Sequence, residues 1–303
     1  MSLRIGVDVG GTNLRVAVVD GLKIVDEYRH AADFSEICHS NPADVAWQHI
    51  TEITAEALQE MLQRFPAVIS VGIGFPGFID PEQGTVLQSP NLPGLRNVDL
   101  AGDVSRLIKR RVIVENDALV AAYGEYKLHA QAADSLIYVG LGTGVGGGLV
   151  VDRQPFAGQH GFAMEIGHMI VEPGGRLCGC GNHGCMEQYA SASGVSISYE
   201  ASTGNKLDAF SVAGLAEAGD QAAIDAYHLA ANTLAQALAH ILKVLDIKQV
   251  VIGGGMSHAW PLMAATFHQR LNQDLIPVLR DKVVVSISSS GDHAGVIGAA
   301  WLS

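Results

Sequence analysis

The sequence predicts an α/β fold built of two duplicated lobes. Three observations carry this reading. A glycine-tipped strand, turn and strand at the N-terminus, "RIGVDVGGTNLRVAVVD", returns as "IYVGLGTGVGGGLVVD" from Ile137. Aligned 132 residues apart, Val7 falls on Val139, Gly10 on Gly142 and Asp20 on Asp152. Strand-like runs alternate with helical segments long enough to cross between them. The length of 303 residues also exceeds the usual size of one domain.

Composition narrows the classes. Hydrophobic residues make up 48% and charged residues 17%, with no low-complexity tract, so the chain is expected to fold throughout. The formal charge of −12 argues against a nucleic-acid partner, which calls for a basic stripe. The opening "MSLRIGVDVGG" is too short an apolar run for a signal peptide and is interrupted by Asp8. No run of about 18 apolar residues occurs, so no membrane partner is expected. The expected compartment is the cytoplasm, where thiols stay reduced.

After the first hairpin, "PADVAWQHITEITAEALQEMLQRF" places Val45, Ile50, Ile53, Leu58, Met61 and Leu62 at roughly helical spacing. "AVISVGIGFPG" reads as a buried strand ending in a turn at Pro76 and Gly77. "VDLAGDVSRLIKRR" reads as a second helix, and "RVIVENDA" as a strand with a polar end. Beyond the second hairpin come a cysteine-rich loop and a helix-rich stretch from about Ser191 to Leu245. "QVVIGGGM" and "VVVSIS" read as strands. "DHAGVIGAAWL" reads as a closing helix that packs back on the first lobe.

Three glycine turns end strands. In "DVGGTNLR", Gly10 and Gly11 allow a tight turn and a close backbone approach to a ligand. Thr12 and Asn13 can donate to phosphate oxygens, and Asp8 can help hold the divalent cation that phosphates need. A plain hairpin with Asp8 as a turn residue would read the same in isolation. "LGTGVGGG", with Gly142, Thr143 and Gly144 at its tip, strengthens the ligand reading, because so many glycines weaken a strand. The third turn is "GGG" at 253–255. Together they suggest a nucleotide. None is a P-loop, and "GTGVGG" is followed by a strand instead of the helix a dinucleotide fingerprint requires.

"ENDA" places Glu115, Asn116 and Asp117 at the end of a strand. A carboxylate there can take the proton of an attacking hydroxyl, and an asparagine can fix a sugar hydroxyl. Asp117 also reads as the N-cap of the helix "ALVAAYGEYKL". "EIGHM" sets Glu165 and His168 three residues apart.

Taken together, "DVGGTNLR", "GIGFPG", "SPNLPGL", "ENDA", "LGTGVGGG", "EIGHM", "CGCGNHGCMEQYAS" and "VVIGGG" resemble, in order and over nearly the whole chain, the motifs of ROK (repressor, open reading frame, kinase) sugar kinases. The branch most resembled is the bacterial glucokinases. The resemblance implies an actin-like (ribonuclease H-like) ATPase fold, two lobes around a central cleft. The expected N-terminal lobe is 1–118 with 289–303, holding the phosphate hairpin and part of the sugar site. The expected C-terminal lobe is 119–288, holding the second glycine hairpin, the zinc loop and the adenosine site.

The resemblance also implies residue roles. Asp117 would be the catalytic base. Asn91, Asn116, Asp117, Glu165, His168 and Glu187 would surround the sugar, with Gly77 beside it. Asp8, Gly10, Gly11, Thr12 and Asn13, with Gly142, Thr143 and Gly144, would take the phosphates and magnesium of ATP. Gly254 and Gly255 would lie at the adenosine end. The implied reaction is transfer of phosphate from ATP to the 6-hydroxyl of a hexose, glucose first. N-acetylglucosamine, N-acetylmannosamine, allose and fructose kinases share these motifs, and a non-catalytic sugar sensor is a remote alternative. A homodimer is also implied. Leu119 departs from the family, many of whose members carry a second asparagine there.

Cys178, Cys180 and Cys185 supply three zinc ligands on a glycine-rich loop. His183, two residues from Cys185, would be strained in binding the same ion, and the resemblance favours His168 as the fourth. Four protein ligands close the site, which makes its expected role structural. Zinc on one imidazole nitrogen leaves the other protonated and able to donate to a sugar hydroxyl. A disulfide between Cys178 and Cys180 would close a very small loop, and no Cys-x-x-Cys redox motif is present. Loss of Cys180 is expected to damage sugar binding and folding while leaving the phosphate loops unchanged.

Overall fold

The computed structural model describes residues 2–10, 13–129, 133–291 and 293–302. β1 (Leu3–Val9) and β2 (Asn13–Asp20) form the expected antiparallel hairpin, with Val7 opposite Val16 and Val9 opposite Leu14. β3 (Lys23–Ala31) extends it along β2. Alternation along β2 sorts its side chains onto two faces. Leu14, Val16 and Val18 join the large core, while Ala17 and Val19 join a smaller cluster on the other side. All residues from Leu14 to Val19 are buried, so both faces of the sheet are covered.

α1 (Phe34–Ser40) is capped by the Asp33 carboxylate, and α2 (Ala43–Arg64) follows. The buried stripe of α2 runs through Ala46, Ile50, Thr54, Leu58 and Met61, with Val45, Ile53 and Leu62 half-buried at its border. Thr54 enters the core because its hydroxyl donates to the Ile50 carbonyl at 2.7 Å. β4 (Ser70–Phe75) lies parallel to β1. β5 (Phe78–Asp80), β6 (Thr85–Gln88) and β7 (Arg96–Val98) form a small antiparallel sheet. α3 (Leu100–Ile108) leads to β8 (Val112–Asn116), parallel to β4, and then to α4 (Asp117–His129).

The second half opens with β9 (Leu136–Leu141), β10 (Val145–Val151) and β11 (Gln154–Pro155). α5 (Glu187–Ala190) leads into the predicted helix-rich stretch, which contains α6 (Ala192–Thr203), α7 (Ala209–Glu217) and α8 (Gln221–Leu245). Gly204, with positive φ, ends α6, and the side chains of Ser191, Asp208 and Asp220 cap the three N-termini. β12 (Gln249–Gly253), α9 (Trp260–Asp274), β13 (Val284–Ile287) and α10 (His293–Ala300) complete the chain.

The two large sheets run β3-β2-β1-β4-β8 and β11-β10-β9-β12-β13. In each, the first strand of a glycine hairpin is central, its return strand lies on one side, and two parallel strands follow on the other. The repeated order matches the duplication read from the hairpins.

The chain divides into two compact units. One comprises Met1–Asp134, Gly148–Ala163 and Ser290–Ser303; the other comprises Ser135–Gly147 and Met164–Ser289. This grouping differs from the expected division after residue 118, because α4 stays with the first unit. It packs on α10 backbone to backbone: a Cβ at Gly124 would meet the Ala294 carbonyl, and one at Gly298 the Val120 carbonyl. α10 also buries Val296 and Ala300 against Ala17 and Val19. Burial of a side chain such as valine stabilises by about 1.5–3 kcal/mol. No helix among the described residues is long and apolar enough to cross a membrane.

Candidate active site

In the first unit, the junction of β8 and α4 brings three polar side chains into a short turn. Asn116 caps α4: its Oδ1 accepts the Leu119 N–H at 3.1 Å. This corrects the reading of Asp117 as the cap. Asp117 is the first residue of the helix, where its Oδ1 accepts the Ala118 N–H at 2.8 Å. Leu119 contributes only its backbone to this turn; its side chain is buried. The Asn116 side chain also donates to the Gly77 carbonyl at 3.0 Å, so the structure joins two of the sequence-predicted sugar residues directly. Gly77 has φ 137°, and a Cβ there would lie 2.6 Å from the Gln88 carbonyl oxygen. Asn91 stands exposed on the loop beyond Gln88.

Electrostatics at this junction favour proton acceptance. Burial raises the Asp117 pKa above the ordinary aspartate value, against the lowering effect of the Ala118 N–H and its own N–H. Glu115, 8% exposed, is pushed up to about 7 by burial, although the Asn116 N–H donates to it at 2.8 Å. A carboxylate with a raised pKa is a better general base near neutrality than an ordinary surface aspartate.

At the first hairpin, the Gly10 N–H donates to the Asn13 carbonyl at 2.8 Å and tightens the turn. Gly11 and Thr12 lie outside the described residues. The Asp8 carboxylate lies against α10, where a Cβ at Gly295 would come within 2.6 Å of it. A strand-end carboxylate beside a glycine turn is a donor suited to a magnesium ion that also binds substrate phosphates.

In the second unit, the Gly142 N–H donates to the Gly144 carbonyl at 3.0 Å across the second turn, leaving Thr143 exposed at its tip. Glu187 reaches this hairpin: its Oε2 accepts the Val145 N–H at 3.0 Å. Gly144 leaves room for it, since a Cβ there would collide with the Glu187 carboxylate. Gly254, at φ 80°, packs against the backbone of Leu141, so the third glycine turn meets the base of the second. Gly255, beside it, is exposed.

The cysteine loop closes on His168. Its Nδ1 is 3.6 Å from Cys178 Sγ, and Cys180 Sγ is 3.6 Å from Cys185 Sγ. All four ligand atoms lie within 4.8 Å of one another. A tetrahedral zinc ion with bonds of about 2.3 Å to sulfur and 2.0–2.1 Å to nitrogen sets neighbouring ligands about 3.6–3.8 Å apart, so the four fit it. All four cysteines of the chain are free thiols. Burial raises the Cys178 pKa, and burial with the adjacent thiols pushes Cys185 up to about 12. Burial opposes ionisation of Cys180 too, but hydrogen bonds led by the Asn182 N–H leave its pKa lowered. A bound cation displaces the protons of such thiols, which pass to solvent as the thiolates bind it. The other imidazole nitrogen, Nε2, is 3.8 Å from Glu165 Oε2, which brings the two residues of "EIGHM" together.

Sequence reasoning missed Arg176. Its guanidinium donates to the Gln188 carbonyl at 2.6 Å and to Ser198 Oγ at 3.0 Å, and it stacks 4.5 Å over the Tyr189 ring. It thereby pins the cysteine loop to α5 and α6. Its acceptors lie 12 and 22 residues away, with no motif to mark them.

The sequence matches the ROK family profile over residues 4–303. The chain belongs to the ROK family. A glucokinase from Halalkalibacterium halodurans is 34% identical to this ROK chain, over 98% of this chain and 94% of that protein. An N-acetyl-D-glucosamine kinase from Escherichia coli is 33% identical, over 98% of each. The crystal structure of a ROK family glucokinase from Streptomyces griseus, in complex with glucose and AMPPNP, is similar with a TM-score of 0.82 at 30% identity, covering 100% of this chain and 99% of that one. The actin-like ATPase fold implied by the motifs is the fold of this ROK protein.

Proposed function

We propose that this ROK protein is an ATP-dependent hexose kinase that converts glucose to glucose 6-phosphate. The observation that carries the reading is the β8–α4 junction. There a carboxylate with a raised pKa, Asp117, stands at a helix start beside Asn116, which caps the helix and is cross-linked to Gly77. The full-length similarity to glucokinases supports the substrate.

In this reading Asp117 accepts the proton of the 6-hydroxyl. The resulting nucleophilic oxygen forms a bond to the γ-phosphorus as the bond from that phosphorus to the β–γ bridging oxygen breaks, and ADP leaves with that electron pair. N–H groups of the glycine turns stabilise the charge on the transferring group. Asp8 would help hold magnesium, which neutralises phosphate charge. His168, Cys178, Cys180 and Cys185 would hold a structural zinc ion. With Nδ1 on the metal side, His168 keeps a proton on Nε2 and donates it to a sugar hydroxyl. Glu165 and Glu187 accept from the sugar. Gly254 and Gly255 border the adenosine. A reaction that consumes ATP and needs reduced thiols belongs in the cytoplasm, and the working unit is a homodimer.

A second reading, N-acetylglucosamine phosphorylation, is favoured by the Escherichia coli relative at nearly equal identity. A panel of hexoses and N-acetylhexosamines compared by kcat/KM under one condition separates the two. Glucose is expected to lead. A lead for N-acetylglucosamine would replace the first reading with the second, and absence of ATP turnover with every sugar would reject both.

A further inference from the structure

Glu187 sits between two features that the sequence treats as separate. Its Oε2 accepts the Val145 N–H at the start of β10, and its Oε1 lies 4.0 Å from Cys178 Sγ. A second link runs beside it: the Ala192 N–H, at the start of α6, donates to the Gly142 carbonyl at 2.9 Å. The glycine turn is therefore tied at both ends, Gly142 and Val145, to the segment that follows Cys185. Gly144 is shaped to this arrangement, because any side chain there would displace the Glu187 carboxylate. On the other side, Cys185 lies two residues before Glu187, and the Met186 N–H donates to the Met169 carbonyl, next to His168, at 2.8 Å. All these groups belong to the second unit.

We propose that Glu187 is a positioning residue that couples the metal cluster to the second glycine hairpin, so that filling the cluster with zinc tightens nucleotide binding even without sugar. The physical basis is preorganisation. A turn of glycines loses much entropy when ordered, and fixing it beforehand removes that cost from the binding step. The four ligands fix the start of α5; α5 fixes Glu187; and Glu187 fixes the N–H at which the turn becomes a strand. This goes beyond the sugar contact assigned to Glu187 and rests on the reading of the hairpin as part of the nucleotide site.

The test is calorimetric titration of the zinc-loaded protein with AMPPNP and magnesium in the absence of sugar. Glu187→Ala should weaken binding by about tenfold, as expected for loss of a hydrogen bond to a charged acceptor. Glu187→Gln, whose amide oxygen still accepts from Val145, should stay within about threefold of the native protein. Gly142→Val is the control for the underlying reading, since a Cβ at 142 has nothing within 4 Å and points into the space above the turn. If Gly142→Val weakens AMPPNP and Glu187→Ala does not, the coupling is wrong. If Gly142→Val binds normally, the nucleotide reading of the hairpin fails, and the coupling with it. Should Glu187→Ala not fold, amide exchange in the native protein with and without a zinc chelator decides. A larger acceleration on zinc removal at Val145 than at Val251, in the middle of β12, supports the coupling; an equal change at both, or none at Val145, overturns it.

Discussion

Asn116 donates its side-chain N–H to the Gly77 carbonyl at 3.0 Å, while its Oδ1 holds the Leu119 N–H at the start of α4. One amide thus fixes the helix that begins with Asp117 and the turn at Gly77 between β4 and β5. Asn116→Ala removes both bonds. Loss of the cap should cost about 1–2 kcal/mol of stability, read by urea denaturation. Because Asp117 loses its anchor, kcat should fall further than any change in sugar KM explains. Asn116→Asp keeps a capping oxygen but cannot donate to Gly77. It should recover most of the stability and little of the kcat, separating capping from positioning.

Glu115 gives the fold a pH dependence with a definite sign. Its folded pKa of about 7 lies above the ordinary glutamate value, so the native state binds the proton more tightly than the unfolded chain. Its contribution is fully present below about pH 4.5 and is lost as pH rises to about 7. Glu115→Gln cannot ionise and should escape that loss. The stability difference between variant and native protein should therefore shift in favour of the variant by about 3 kcal/mol between pH 4 and 8. Chemical denaturation at a series of pH values reads it, and a constant difference would show that Glu115 is not held neutral by burial.

The cysteine cluster predicts close to one zinc per chain in protein purified without chelators, measured by metal analysis. Cys180→Ser should lose most of that metal, lower the Tm and raise the sugar KM. Full activity and unchanged Tm in metal-free protein would reject a structural role for the ion.

Much of this was legible in the sequence because the informative residues are close together or repeated. The two hairpins, their 132-residue spacing and the strand that feeds "ENDA" all correspond to observed elements. The gathering of His168 with Cys178, Cys180 and Cys185 was likewise expected. The sheet of β5, β6 and β7 was not, since strands of three or four residues carry too little alternation to mark them. Asn116 and Asp117 both have capping side chains, and only the backbone conformation decides which of them caps. The link between the second glycine hairpin and the segment after the cysteine loop was missed for a different reason. The bond from Val145 to Glu187 spans 42 residues, and a backbone N–H leaves no trace in a motif.

The central claim, that Asp117 is the base of a sugar kinase, is tested most directly by Asp117→Asn, assayed with glucose and magnesium-ATP alongside glucose affinity measured at equilibrium. The amide is nearly isosteric and preserves the bond from the Ala118 N–H. The account predicts that kcat falls by at least about 10²-fold while the variant keeps its native Tm and still binds glucose. A kcat close to that of the native protein would contradict it.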